Sequence, residues 1–361
     1  MRPRAKPCLL KLKRADKNRK DAKQFIGTRK ELMTAINTAL QAVSLGDAQS
    51  FANLQITPLL AAAAGTADYL TLAEAQEQGL AVVSEVSESG SVPTLLLQNN
   101  ADQAVFLLDG EELVGAKQNR ILNLTLLVPA KTELEIPVSC VEQGRWSHRT
   151  EEFESSERAF FSKGRARKAE RVSESLRENG YRESNQNEVW GDIGDKMASM
   201  DVESSTDAIA DAYEYFSGSV DEYVAAFNTT EMQVGACFVI NGKIRGIELF
   251  DMSDTCSKLM PKLIRSYALD AIEERQEEAI GVEQGINDFI QTVAAAPADS
   301  FAALGEGEDL RIHSTAITGG ALAARDRVVH LCAFRQESAA GTQRHSESMQ
   351  RASARQRYRN R

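Results

Sequence analysis

Hydrophobic positions fall into two regimes along this chain. From Leu54 onward, short apolar runs alternate with turn residues: LQITPLL, LAVVSEV, VPTLLLQ and AVFLL. Runs of this length and spacing predict strands. Between the first two lies TLAEAQEQG, where Thr71 stands as N-cap to a short helix. After Trp146 the period lengthens. Residues 163–179 place Val172 and Leu176 four apart and stop before Gly180, which predicts a helix with a glycine end. Further helices are predicted over 186–200, 205–216 and 219–227. A long one runs through KLMPKLIRSYALDAIEER, capped by Ser253 or Asp254, with Pro261 kinking it or marking its true start. Ahead of the strands, residues 31–45 set Leu32, Ile36, Leu40 and Val43 on one helical face and end near Gly46, predicting an amphipathic helix.

Three dipeptides suited to positive φ predict tight hairpins: Asp109-Gly110, Asn241-Gly242 and Gly319-Gly320. They are far apart, with the helical block between the first two, so strands from both halves are expected to pair around it. The expected fold is α+β: predominantly antiparallel β-hairpins with a helical insertion at about 160–230, in a single large domain. A parallel sheet is not expected, because residues 92–140 lack strand-helix-strand alternation. The expected divisions are a basic extension with one amphipathic helix over 1–50, the α+β domain over 51–334, and a basic, disordered tail over 335–361.

Charge sharpens that division. The net charge is −10, yet residues 1–30 hold 12 Lys/Arg against 2 Asp/Glu, and residues 335–361 hold 7 Arg against 2 Glu. The acidic excess therefore lies in the body. Such ends stay solvated, fold back on an acidic body or bind polyanions. An acidic body repels phosphate backbone, so nucleic acid is expected at most through the basic ends. No apolar run is long enough for a membrane span, and no signal segment follows the basic start. Five widely spaced cysteines, none in a CxxC pair, argue against a disulfide framework or zinc knuckle and fit a reducing cytoplasm.

The densest side-chain chemistry lies between Leu107 and Trp146. Asp109, Glu111 and Glu112 at a hairpin tip suit oxygen ligation of Mg2+ or general-base work; equally, acidic tips serve solubility. Lys117 and Arg120 suit a phosphate and Asn119 or Gln118 a ribose or base edge, with Asn123 a further ligand-binding candidate in the same polar cluster. The plain alternative is that the cations snorkel or pair with those same carboxylates. Cys140 ends an apolar run, and Arg145 or His148 could activate its thiolate while Trp146 stacks on a base; buried Cys and Trp are also ordinary core residues. Arg165, Arg167, Lys168 and Arg171 crowd the first turns of a helix, where cations oppose the dipole. The acidic FESSE segment before them is the expected counterweight. GEGEDLR reads as a tight turn feeding a strand, and His313 and His330 as sheet histidines. No metal-ligand motif is present in the spacing.

The runs LLDGEELVGAKQNRILN, IPVSCVEQGRW, EVWGDIGDKM, QVGACFVINGKIRGIELFD and GEGEDLRI with VVHLCAF resemble the ARG and rhodanese-phosphatase-superfamily-associated protein domain, where ARG denotes ADP-ribosylglycohydrolase. The resemblance covers roughly 51–334. Where the family pattern reads Ser-Asp-Gln-Gly-Glu-Val-Trp, this chain has Ser184, Asn185, Gln186, Asn187, Glu188, Val189 and Trp190. The resemblance implies a link to ADP-ribose and NAD-related metabolism without a mechanism. Three functions stay open: a binding or regulatory module for a nucleotide-like ligand, a hydrolase of that ligand class using Glu111 or Glu112, and an interaction protein recruiting an acidic partner or nucleic acid through its ends.

Overall fold

A computed structural model describes residues 29–62, 64–87, 92–147, 150–275 and 285–336. Residues 1–28 and 337–361, which hold most of the two basic ends, and His148 lie outside the described residues. The largest sheet has nine antiparallel strands: β1 (Ser44–Leu45), β2 (Gln49–Phe51) and β3 (Leu54–Leu60) from the first half join β13 (Gln233–Ile240), β14 (Lys243–Phe250), β15 (Ala298–Ala302), β16 (Glu308–His313), β17 (Ile317–Ala324) and β18 (Arg327–Arg335). Its order is β1-β3-β13-β14-β18-β17-β16-β15, with β2 also on β3. Because β3 pairs with β13 across the intervening helices, both halves share one sheet and the α+β reading holds. The sequence of β13, QVGACFVI, is apolar on both faces, and both are buried. Ala236, Phe238 and Ile240 pack toward a core shared with the helix Ser253–Glu273, where Tyr267 stacks on Phe238. Cys237 and Val239 pack on the other face with Ile36, Leu40, Phe289 and Val293.

Six further strands close into a barrel in the order β11-β6-β5-β12-β8-β9. They are β5 (Ala81–Glu85), β6 (Thr94–Asn99), β8 (Glu111–Gly115), β9 (Arg120–Leu122), β11 (Thr132–Cys140) and β12 (Glu152–Ala159). Closure removes their edges and leaves a bore filled by Val83, Leu95, Leu97, Leu113, Leu122, Ile136, Val138 and Phe153. A third sheet, β4 (Tyr69–Thr71), β7 (Ala104–Leu107) and β10 (Leu126–Val128), contains one parallel pair, β4 with β7, which the sequence did not lead us to expect.

Eight helices lie among the described residues: α1 (Arg29–Gln41), α2 (Leu72–Glu77), α3 (Ser162–Asn179), α4 (Gln186–Ser199), α5 (Ile209–Tyr215), α6 (Ser217–Ala226), α7 (Ser253–Glu273) and α8 (Ile286–Ala295). Thr71 caps α2 through a capping box with Glu74, and α3 ends at Gly180 with φ 75°. Asn185 caps α4 by accepting from the Asn187 N–H, a task an Asp side chain would also perform. The cap of α7 differs from expectation: it is Met252, while the Ser253 hydroxyl is engaged with Gly65. Of the two places expected for Pro261, the helix has it inside rather than at the start.

Of the three expected hairpins, Asn241-Gly242 joins β13 to β14. Asp109-Gly110 instead carries the chain from the small sheet into the barrel, since β7 pairs with β4 and β10 while β8 pairs with β9 and β12. Gly319-Gly320 lies within β17, whose partners are β16 and β18. The reason is steric. A Cβ at Gly319 would stand 2.2 Å from the Cys332 carbonyl oxygen, and one at Gly320 would stand 3.1 Å from Nη1 of Arg311. Gly319→Ala is therefore expected to cost about 1–3 kcal/mol through overpacking, and Gly320→Ala less, because an arginine tip yields where backbone does not. Thermal melts of the two variants check this; equal losses would refute it.

Candidate functional site at the mouth of the barrel

The Leu107–Trp146 stretch is divided by the fold into three separate environments. Asp109 sits in a buried ion centre. Its carboxylate accepts from Lys168 Nζ at 2.8 Å and from Arg165 Nε at 3.3 Å. Arg165 then makes a two-pronged contact with Glu248, at 2.6 and 3.2 Å. Glu248 also meets His330 Nε2 at 3.2 Å, whose other nitrogen is 2.8 Å from the Thr125 hydroxyl. Burial pushes the Asp109 carboxyl up, but Lys168 and Arg165 outweigh it and hold it below the usual range. Burial likewise works against the Arg165 charge, and Glu248 and Asp109 reverse that, raising it further. The cations early in α3 are thus balanced by Asp109 and Glu248, and by Asp192 for Arg167 and Arg171, rather than by the preceding FESSE segment. Asn123 belongs to the edge of this centre: its carbonyl oxygens take Lys168 and Ser139, and its amide donates to the Arg182 carbonyl.

Glu111 and Glu112 alternate along β8 and face apart. Glu111 is engaged by Lys262 at 2.6 Å and by the Ser155 hydroxyl, Glu112 by Arg158 at 2.7 Å and by the Ser156 hydroxyl. With Asp109 turned toward α3, the three carboxylates suggested for Mg2+ do not converge. Among the described residues, no group of three or more His, Cys, Asp or Glu side chains is placed to hold a metal ion.

The third environment is the mouth of the barrel, where the other candidates meet. Register places Arg120 opposite both Cys140 on β11 and Leu113 on β8, on the face that lines the bore. Gln118 ties the cluster: its Oε1 accepts from Arg120 Nη1 at 3.1 Å and from the Cys140 thiol at 3.1 Å, and its amide donates to the Glu142 carbonyl at 2.9 Å. Arg145 pairs with Glu142 at 2.7 Å and donates to Asn119 Oδ1 at 3.2 Å and the Ala116 carbonyl at 2.6 Å. Lys117 Nζ lies 5.4 Å from the ring centre of Trp146, which is 52% exposed. Burial pushes the Cys140 thiol up, more than neighbouring Arg120 pulls it down, a setting that does not favour a thiolate nucleophile.

The sequence held no sign of Glu85, which faces the same bore from β5. Its Oε1 is 4.0 Å from Arg120 Nη2, beyond hydrogen-bond reach. Both Glu85 oxygens, and Nε and Nη2 of Arg120, are buried without a hydrogen-bond partner. Two hollows elsewhere offer less. An open dent of about 470 Å3 lined by Arg177, Asp299, Ser300 and Phe301 has its charges paired, Arg177 with Asp299 at 3.0 Å. A void of about 10 Å3 beside Asp109, Asp309, Arg311 and Cys332 has room for one water.

No described helix is long and apolar enough to cross a membrane. Residues 42–334 match the family described as the ARG and Rhodanese-Phosphatase-superfamily-associated Protein domain. No curated protein and no solved structure matches the chain.

Proposed function

This chain belongs to the ARG and rhodanese-phosphatase-superfamily-associated protein domain family, and from that membership we propose that it is a binding or regulatory module whose barrel mouth takes a nucleotide-like ligand of the ADP-ribose or NAD-derived class. The observation that carries the reading is the buried Arg120–Glu85 pair with four polar atoms lacking hydrogen bonds. Such groups are costly unless a water or ligand completes them. Lys117 and the exposed face of Trp146, in the same loops, add a cation and a stacking surface. Binding is favoured over hydrolysis because Glu111 and Glu112 are each committed to a cation and to a serine hydroxyl within the protein. A cytoplasmic place, consistent with the four described cysteines being free thiols, is part of the same reading.

ADP-ribose at about 100 times its Kd is expected to stabilise the wild type by roughly 2.7 kcal/mol, seen as a raised Tm. Trp146→Ala removes an exposed ring and should leave the unliganded Tm unchanged. Loss of stacking should weaken its ADP-ribose affinity about tenfold or more. Absence of a shift with ADP-ribose, NAD or related nucleotides rules the reading out.

A further inference from the structure

We infer that the Arg120–Glu85 pair seats the vicinal hydroxyls of the ligand's ribose, rather than its phosphates; this rests on the nucleotide-binding reading above. The argument is one of matched hydrogen-bonding capacity. The pair leaves two donors, Arg120 Nε and Nη2, and two acceptors, the Glu85 oxygens, without partners. A phosphate offers acceptors alone, so it would satisfy the guanidinium while bringing negative charge against Glu85. A hydroxyl donates once and accepts, and two adjacent hydroxyls supply the two donors and two acceptors that this pair lacks.

The spacing fits the same chemistry. Nη2 and Oε1 stand 4.0 Å apart. An oxygen about 2.9 Å from the nitrogen and about 2.7 Å from the carboxylate spans that gap with an angle near ~90° at the oxygen. The seat is also held in place. Arg120 is anchored through Nη1 to the side-chain and backbone oxygens of Gln118, at 3.1 and 3.2 Å, which leaves Nε and Nη2 as its open edge. Glu85 ends β5 on the bore-lining face, in line with Val83 and opposite Leu95. The Glu85 side chain keeps 7% of its surface exposed while Arg120 has none, so a sugar edge entering from the loops would meet the carboxylate first. Around them the bore is apolar, which strengthens each hydrogen bond to a charged group.

The test is calorimetric titration of the full chain with ADP-ribose and ribose 5-phosphate, and with their 2′-deoxy and 3′-deoxy analogues. Each missing hydroxyl is expected to weaken binding roughly 10- to 100-fold, the scale of one hydrogen bond to a buried charge. Glu85→Gln keeps the side chain's shape but takes a counter-charge from buried Arg120, so a lower Tm is expected, and the readout is the preference for the intact diol, which should fall to a few-fold. If ADP-ribose and ribose 5-phosphate bind and their deoxy analogues bind equally well, the pair holds only water and this inference is overturned, with the binding reading intact. If none of the six binds, both are overturned.

Discussion

Arg165→Met is expected to destabilise the protein by about 3–5 kcal/mol, because it leaves two buried carboxylates, Asp109 and Glu248, without their shared cation. Arg165 has no exposed side-chain surface, and neither partner can turn to solvent from its place in the core. Lys168 still answers Asp109, so the larger part of the loss should come from Glu248, left with His330 and the Tyr267 hydroxyl. Urea unfolding with an unchanged m-value measures the loss. A double-mutant cycle with Glu248→Gln then separates the pair from the packing of the arginine stem, since neutralising the stranded acid should recover part of the loss. A loss below about 1 kcal/mol for Arg165→Met would mean that the centre relaxes around the missing charge and is not what ties α3 to β14.

The second large effect is expected at Asp270, on α7. Its carboxylate accepts from the Ser162 hydroxyl, from the Lys163 N–H at 2.9 Å and from Lys196, joining α7 to the start of α3 and the end of α4. Burial pushes this carboxyl up, but Lys196 and Lys163 overcome that and hold it below the usual range. A carboxyl with a folded pKa below its unfolded one stabilises the protein above the unfolded value, about 3.9, and loses that contribution as pH falls through the folded pKa. Asp109 is shifted in the same direction. Stability of the wild type should therefore fall steeply below about pH 4. Asp270→Asn should begin about 3 kcal/mol less stable at pH 7, with Lys196 left short of a counter-charge, and should show a shallower fall in acid. Denaturation midpoints between about pH 2.5 and 7 provide the check; parallel curves for the two proteins would show that Asp270 is not one of the titrating groups.

The two predicted centres were partly legible in the chain. Cations crowding the first turns of α3 are unfavourable there by themselves, and that anomaly pointed to a counter-charge. Its source was not legible: Asp109, Asp192 and Glu248 reach α3 from three different elements. The barrel mouth was half legible. The Lys117–Arg120 run and the Cys140–Trp146 cluster stood out as polar chemistry beside apolar strands, and register brings Arg120 and Cys140 side by side. Glu85 could not be found in the same way, since an acid ending an apolar run looks like any solvent-facing residue until barrel closure turns it inward.

The sequence by itself determined the local events: the Thr71 cap, the left-handed end of α3 at Gly180, the Asn241-Gly242 hairpin and the turn before β16. Each is settled by side chains a few residues apart, whose sterics and hydrogen bonds do not depend on the rest of the chain. Only the tertiary structure decided that Asp109-Gly110 passes between sheets, that Gly319-Gly320 sits inside a strand, and that Asp109, Glu111, Glu112 and Glu142 are buried and paired. Those outcomes depend on which strands lie next to one another. A buried charge takes its partner from whatever element the fold brings within about 3 Å, however distant in sequence.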